Sequence, residues 1–374
     1  MNELRKPLCL LVCLSVLGCG LPDEPVRPRG ERIATDQDLT REIEVDGTHV
    51  YWVNAGRFGS FGSVVRARKD GSEQQQLWRG TEACGHPREL WLRGGRVHWR
   101  CVGNGVSRLL STAPDGSDLR QELEAHAVQQ VLRRGDDTWV RVSGAEDEIL
   151  RLEGSTGSAK SVIRMPGSMS ADFDVSGDRV FFTVRQQDTT YRLLEVASTG
   201  GEPTELARGL TRVTEVRAAA GFVYVLQIAD DARRPATVGL PGSGRVVRLR
   251  PGGGGAQTIA EGLHEPQWLF TTDSHVFWVN HTGAALMGAR HAEGEARHLL
   301  GGLLDARPAA QDAGELLLLS ALDIVRVPLD GGTAVAAAGA AIPGGLAFDD
   351  GYVYWTEGDD VRRNPRTTAL PLDR

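Results

Sequence analysis

Chemistry in this 374-residue chain would have to begin with its nine histidines, its acidic pairs or its cysteines. The histidines are scattered. His275 and His281 stand at either end of one apolar stretch, with His291 and His298 beyond it, and no metal site uses that spacing. His49, His98 and His275 flank aromatic residues, where a packed ring is the simpler role. Acid pairs occur at Asp136-Asp137, Asp230-Asp231, Asp349-Asp350 and Asp359-Asp360. Adjacent side chains of an extended strand point to opposite sides, so none of these pairs makes a local carboxylate dyad. There is no Gly-x-Ser-x-Gly elbow for a hydrolase. Ser158-Ala159-Lys160-Ser161 lacks the Gly-Lys-Ser of a phosphate loop, and Pro251 to Gly255 reads as a hairpin tip. A formal charge of −7, with no basic cluster interleaved with aromatics, argues against a nucleic-acid partner. Local sequence therefore yields no catalytic residue; any site must be assembled by the fold.

The N-terminus carries an address. Arg5 and Lys6 precede the apolar run Leu8 to Leu17, which is too short to span a bilayer as a helix. Val16-Leu17-Gly18-Cys19 resembles a bacterial lipobox. The resemblance implies that residues 1–18 are a cleaved signal peptide and that Cys19 is diacylated. Gly20, where an Asp would retain the protein at the inner membrane, implies an outer-membrane lipoprotein facing the periplasm or the cell surface. A plain secretory signal is the alternative, and either way the chain is exported. Residues 19–30, with Pro22, Pro25 and Pro28, read as a stiff tether. Cys9 and Cys13 leave with the signal. Cys84 and Cys101 remain, and two cysteines in an exported chain predict one disulfide. A bend is needed to bring them together, since simple hairpin register sets Cys101 nearer Arg88.

The rest of the chain is one pattern, repeated. An acidic or glycine-rich turn leads into three apolar or aromatic strand formers: Val50-Tyr51-Trp52, Val97-His98-Trp99, Asp137-Thr138-Trp139, Val180-Phe181-Phe182, Val223-Tyr224-Val225, Val276-Phe277-Trp278, Leu316-Leu317-Leu318 and Val353-Tyr354-Trp355. The copies recur every 37 to 53 residues, the length of a four-stranded propeller blade. An Arg within an apolar pair follows most triplets (Arg66, Arg108, Arg151, Arg192, Arg248, Arg326, Arg362). Tight turns such as Asp70-Gly71, Asp115-Gly116 and Asp330-Gly331 come next.

These signals resemble the YWTD-type propellers of low-density lipoprotein receptors and their bacterial relatives. Tyr354-Trp355-Thr356-Glu357 comes nearest the family tetrapeptide, with Asn54 and Asn280 at the acid position elsewhere. The resemblance covers about residues 41–365 and implies an all-β fold, a single β-propeller of four-stranded antiparallel blades, with residues 31–374 as the domain. Eight copies predict eight blades, or seven if one weak copy is an insertion. The last unit lacks an outer strand, and Arg29 to Thr35 can supply it, closing the ring from the N-terminal side.

In such a meander the A–B and C–D turns share one rim, and the B–C and D–A connections share the other. The long connections, Asn54 to Ser63, Gly80 to His86 and Gln227 to Arg245, all fall on the second rim, which makes it the expected binding face. Arg57, Phe58, His86, Arg88, Trp268, Asn280, His281 and Glu357 are the residues expected there. The functional expectation is a non-catalytic binding or scaffold module for a protein, peptide or glycan at the envelope. The alternative is a metal-dependent lactonase or lyase with carboxylates and histidines at the channel. Nothing in the spacing points to a cofactor, although a propeller can gather acids around its axis for calcium.

Overall fold

The computed structural model describes residues 27–372 except 58, 154–157, 167–168, 230–241, 282–283, 313 and 330–331. Cys19, the signal region and Phe58 therefore lie outside the described residues. Among those described there is no helix, and hence none long and apolar enough to cross a membrane. Strands form eight four-stranded antiparallel sheets, each a consecutive meander apart from the last. Blades 1 to 7 cover residues 40–79, 86–125, 128–166, 169–210, 212–263, 266–300 and 307–339. Blade 8 comprises Leu346–Phe348, Tyr352–Glu357 and Asp360–Pro365, and its outer strand is Glu31–Ala34 from the N-terminal side. Glu31 pairs with Arg363 and Ala34 with Val361, which closes the ring as expected and leaves eight blades.

Every triplet lies in the second strand of its blade. That strand is apolar on both faces because a neighbouring blade covers each one. In blade 1, Val50 and Trp52 pack with Tyr354 and Val361 of blade 8. Tyr51 and Val53, on the opposite face, pack with Leu90 and Trp99 of blade 2. The four Trp at the third triplet position with the strongest copies, Trp52, Trp99, Trp278 and Trp355, are completely buried.

The Asp ahead of the triplet fixes the A–B turn. Asp46 Oδ1 accepts hydrogen bonds from the backbone N–H of Thr48 and His49, both at 2.7 Å, and Oδ2 accepts from the Tyr51 hydroxyl at 2.7 Å. Asp349 repeats this in blade 8 with the N–H of Gly351 and Tyr352 (2.8 Å each) and the Tyr354 hydroxyl (3.0 Å).

The arginine signal proves to be three positions rather than one. Arg66, Arg248, Arg326 and Arg363 stand opposite the second triplet residue, paired with Tyr51, Tyr224, Leu317 and Tyr354. Three of them tie their blade to the next. Arg248 donates to the His291 carbonyl at 2.6 Å, Arg326 to those of Arg366 and Thr368 at 2.7 and 3.1 Å, and Arg363 to that of Lys69 at 2.6 Å. Arg362, which the sequence pattern aligned with this set, pairs instead with Trp355, points to the other face, and bonds Asp360 within its own blade at 2.8 Å. Arg151 shares the place of Arg362, opposite the third triplet residue Trp139, whereas Arg108 and Arg192 stand opposite Cys101 and Val184, two residues beyond their triplets. Adjacent strand residues face opposite ways, so a slip of one exchanges an interblade donor for an intrablade one.

Cys84 and Cys101 form a disulfide with Cα atoms 5.3 Å apart. The bend it requires is the tight turn closed by the Thr81–Cys84 bridge. Both ends of the described stretch are packed. Arg27 Nη1 donates to the two Asp323 carboxylate oxygens at 2.9 and 3.0 Å, Gly339 N donates to the Pro28 carbonyl at 3.0 Å, and Leu370 bridges Ala336.

Candidate binding site at the channel mouth

The innermost strands converge on the axis. Arg133 of blade 3 reaches Glu44 of blade 1 at 3.0 Å, and Gln311 of blade 7 shares an opening with Arg134 of blade 3. In blades 1 to 7 the pairing of the inner strand with its neighbour slips once, as between Arg88 and Trp91 in blade 2 and between Gln267 and Phe270 in blade 6. Such bulges re-aim side chains. At the blade 2 and blade 6 bulges Glu89 and Trp268 adopt left-handed backbone conformations, with φ of 52° and 58°. That conformation is uncommon for any residue other than glycine and an outlier for one as bulky as tryptophan.

The channel has two chemically different walls. On one side Glu42, Glu44 and Glu89 surround Arg133, and Glu89 also pairs with Arg100 at 2.7 Å. Further round, Arg217 bonds Asp172 at 3.2 Å and Glu215 at 3.1 Å, and Arg134 meets the buried Asp174 at 2.6 Å. Burial pushes the carboxyls of Glu42, Glu44, Glu89, Asp174 and Glu215 above the usual range, and the arginines offset this only partly. Glu42 is reachable by solvent, yet ringed by protein, and the surrounding protein is what desolvates it. The opposite wall, contributed by blades 6 to 8, carries Gln267, Trp268, Arg307 and Gly344.

At the rim of the long connections the channel opens into a cavity of about 410 Å³. Trp268, Ile342 and Pro343 line it on one side, and Arg41, Glu42, His281, Asp305 and Arg307 supply polar groups. Arg307 already donates to the Pro343 carbonyl at 3.0 Å, and His281 lies 4.0 Å from Asp305. The other mouth holds about 620 Å³ and is lined largely by turn residues such as Gly135, Gly177 and Ala220. Two further openings on that rim, of about 790 and 560 Å³, are grooves between hairpins of neighbouring blades. They are larger, but none contains an exposed large apolar side chain or a strained aromatic one, and chemistry rather than volume distinguishes the smaller mouth.

Of the residues expected on this rim, Trp268 and His281 come together in the cavity. Arg57 lies on the blade 1 side, held by the carboxylates of Asp359 and Asp38. His86 is exposed there too, with Nδ1 3.1 Å from the Ala55 carbonyl, and Arg88 is exposed on the blade 2 inner strand. Asn280 ends the second strand of blade 6. Glu357 reaches the rim with its carboxylate buried between Arg29 (3.2 Å) and the Trp355 indole N–H (3.2 Å), a structural setting. Arg41, Glu42, Asp305, Arg307 and Ile342 were missed. Their only sequence signal is a place at a blade boundary: Arg41 and Glu42 lie in the blade 1 bulge, Arg307 opens the inner strand of blade 7, and Asp305 and Ile342 lie in the connections that lead into blades 7 and 8. Among the described residues no three His, Cys, Asp or Glu side chains converge as metal ligands would.

No protein-family model matches this chain, nor does any curated relative. Among solved structures it is similar to the computationally designed Ika8 protein, with TM-score 0.61 and 11% identity over 90% of this chain and 99% of that one. It is also similar to the β-propeller domain of the Trilobed protease from Pyrococcus furiosus, with TM-score 0.51 and 8% identity over 89% and 93% of the two chains. A structure from a study of two prolyl endopeptidases matches with TM-score 0.58 and 12% identity, over 83% of this chain and 50% of that one. Likeness at these identities shows the fold, a β-propeller, and no activity.

Proposed function

We propose that this chain is an exported, lipid-anchored β-propeller of the YWTD type that binds a ligand at its loop-rim mouth, at the bacterial outer membrane. Trp268 carries the reading: a half-exposed indole held in an unfavourable backbone conformation beside a cavity with charges of both signs. The indole and Ile342 suit an apolar side chain, while Arg41, Arg307, Glu42 and Asp305 suit a charged backbone end, so an extended peptide is the ligand class that fits. The Asp–turn–Tyr bonding of blades 1 and 8 supports the YWTD assignment. A peptidase activity is not proposed, because the sequence has no Gly-x-Ser-x-Gly elbow.

The test is titration calorimetry against short peptides and against cell-wall glycan fragments. Trp268→Ala is expected to weaken peptide binding about tenfold, as loss of one anchoring aromatic does, with an unchanged melting temperature. Glycan binding without peptide binding would replace the ligand class, and an unaffected variant would move the site. Cys19→Ala is expected to abolish fatty-acid incorporation and release the protein from the membrane fraction. The other reading that the sequence offers is a metal-dependent lactonase or lyase, for which no cluster of metal ligands is found among the described residues. Stoichiometric calcium or zinc retained by the purified protein would support it.

A further inference from the structure

Six large apolar side chains are exposed among the described residues: Phe61, Leu119, Trp268, Leu304, Leu322 and Ile342. All but Leu119 lie on the rim of the long connections. Leu304, Leu322 and Ile342, 56, 51 and 81% exposed, sit on three neighbouring loops of blades 6 to 8. The loops are laced together by their backbones: Ala321 N donates to the Leu304 carbonyl, Ile342 N to that of Ala321, and Ala340 N to that of Leu322, at 2.8 to 2.9 Å. Trp268 joins them across the cavity that Ile342 also lines. One rim therefore presents a contiguous apolar crest on a firm backbone, an arrangement that marks an interaction surface.

The N-terminal arm enters at the same place. Arg27 is clamped by Asp323, the residue after Leu322, and Pro28 bonds Gly339 at the end of the blade 7 outer strand. Eight residue steps separate Arg27 from Cys19, a reach of at most about 29 Å when fully extended. The opposite rim stands a strand length farther off, about 20 Å for six residues.

We infer that the Leu304–Leu322–Ile342 crest beds on the surface of the bilayer that holds the anchor, with Trp268 at headgroup level and the turn rim facing away. The inference rests on reading Cys19 as the lipid anchor. Aliphatic tips beside an indole suit the headgroup–acyl boundary. The fringe carries both Asp305 and Arg41, so apolar contact rather than charge drives the docking, and high salt leaves it in place. The channel mouth then opens on the membrane side, and its ligand arrives from a membrane-bound source.

The test uses the full lipidated protein reconstituted in phosphatidylethanolamine/phosphatidylglycerol vesicles, with an environment-sensitive fluorophore on Ile342→Cys or, as control, Leu119→Cys. The native cysteines of the mature chain are occupied by the anchor and the disulfide. The probe at 342 is expected to shift to the blue and to be quenched by spin-labelled lipid at least about threefold more than the probe at 119. Adding Leu304→Glu and Leu322→Glu should remove that difference without changing the melting temperature. Equal quenching at both positions, or quenching indifferent to the two Glu substitutions, overturns the inference. So does a blue shift without lipid quenching, which would signal a protein partner or a second copy on the crest. If mass spectrometry finds Cys19 unmodified, the anchor reading alone has failed. The unanchored chain added to the same vesicles then either reproduces the signal at 342 or refutes the crest as well.

Discussion

The Asp that precedes the triplet in blades 1 and 8 is a small device with several functions. Asp349 ends the first strand of blade 8, holds the next by two N–H groups, and fixes the Tyr354 hydroxyl. It also bonds Lys69 of blade 1 at 2.8 Å, across the ring closure. Burial alone would raise its carboxyl, but Lys69, the turn N–H groups and Tyr354 outweigh that and hold it below the usual range. A carboxyl with a folded value below its unfolded one contributes stability above the unfolded value, near 4, and loses it as pH falls through the folded one. Asp349→Ala is therefore expected to cost about 2 kcal/mol at pH 7, with the deficit shrinking below pH 4 in thermal melts. A deficit unchanged at acid pH would mean that the charge is irrelevant. The turn was legible in the chain because Gly351, Tyr352 and Tyr354 lie within five residues of Asp349, whereas Lys69 reaches it only through ring closure. Trp268 was legible as a rim residue, but its backbone conformation and its company of Arg41 and Arg307 were not. Those depend on bulges and on residues 35 or more positions away.

Strands show the same division. The triplet reveals the second strand of each blade through burial on both faces, and the missing outer strand of blade 8 could be assigned to the N-terminal side by counting. Register could not be counted, which is why Arg362 stood in for Arg363. The closing strand is held by Glu31–Arg363 and Arg29–Glu357 pairs and by buried Ile33. Deleting residues 27–34 is expected to cost about 5 kcal/mol, summing a buried Ile and the charge-assisted bonds, and to bare the edge of Asp360–Pro365. A lower melting temperature together with concentration-dependent light scattering would report both effects. At a single interblade tie, Arg326→Ala is expected to lower stability by about 1–3 kcal/mol, since the carbonyls of Arg366 and Thr368 lose their donor. An unchanged melt would show the tie to be idle.

Ring closure brings together charges that no single blade contains. Glu42 and Glu44 come from blade 1, Glu89 from blade 2 and their shared counter-ion Arg133 from blade 3. All three carboxyls are raised by burial, so their folded values lie above their unfolded ones. Such groups take up protons on folding, and they weaken the fold as pH climbs from the ordinary carboxylate range through the raised values. Arg133 offsets that loss only where the carboxylates are ionised. Arg133→Met should therefore destabilise the propeller by about 1 kcal/mol at pH 8, where three acids face one another with less compensation. The gap from wild type should narrow toward pH 5, as protonation relieves the repulsion that the variant has exposed. Melting curves at half-unit pH intervals decide the matter. A gap constant from pH 8 to pH 5 would mean that Arg133 acts by packing alone and that the charged wall is not one electrostatic unit, whereas a closing gap would show that the channel responds to protons as a whole.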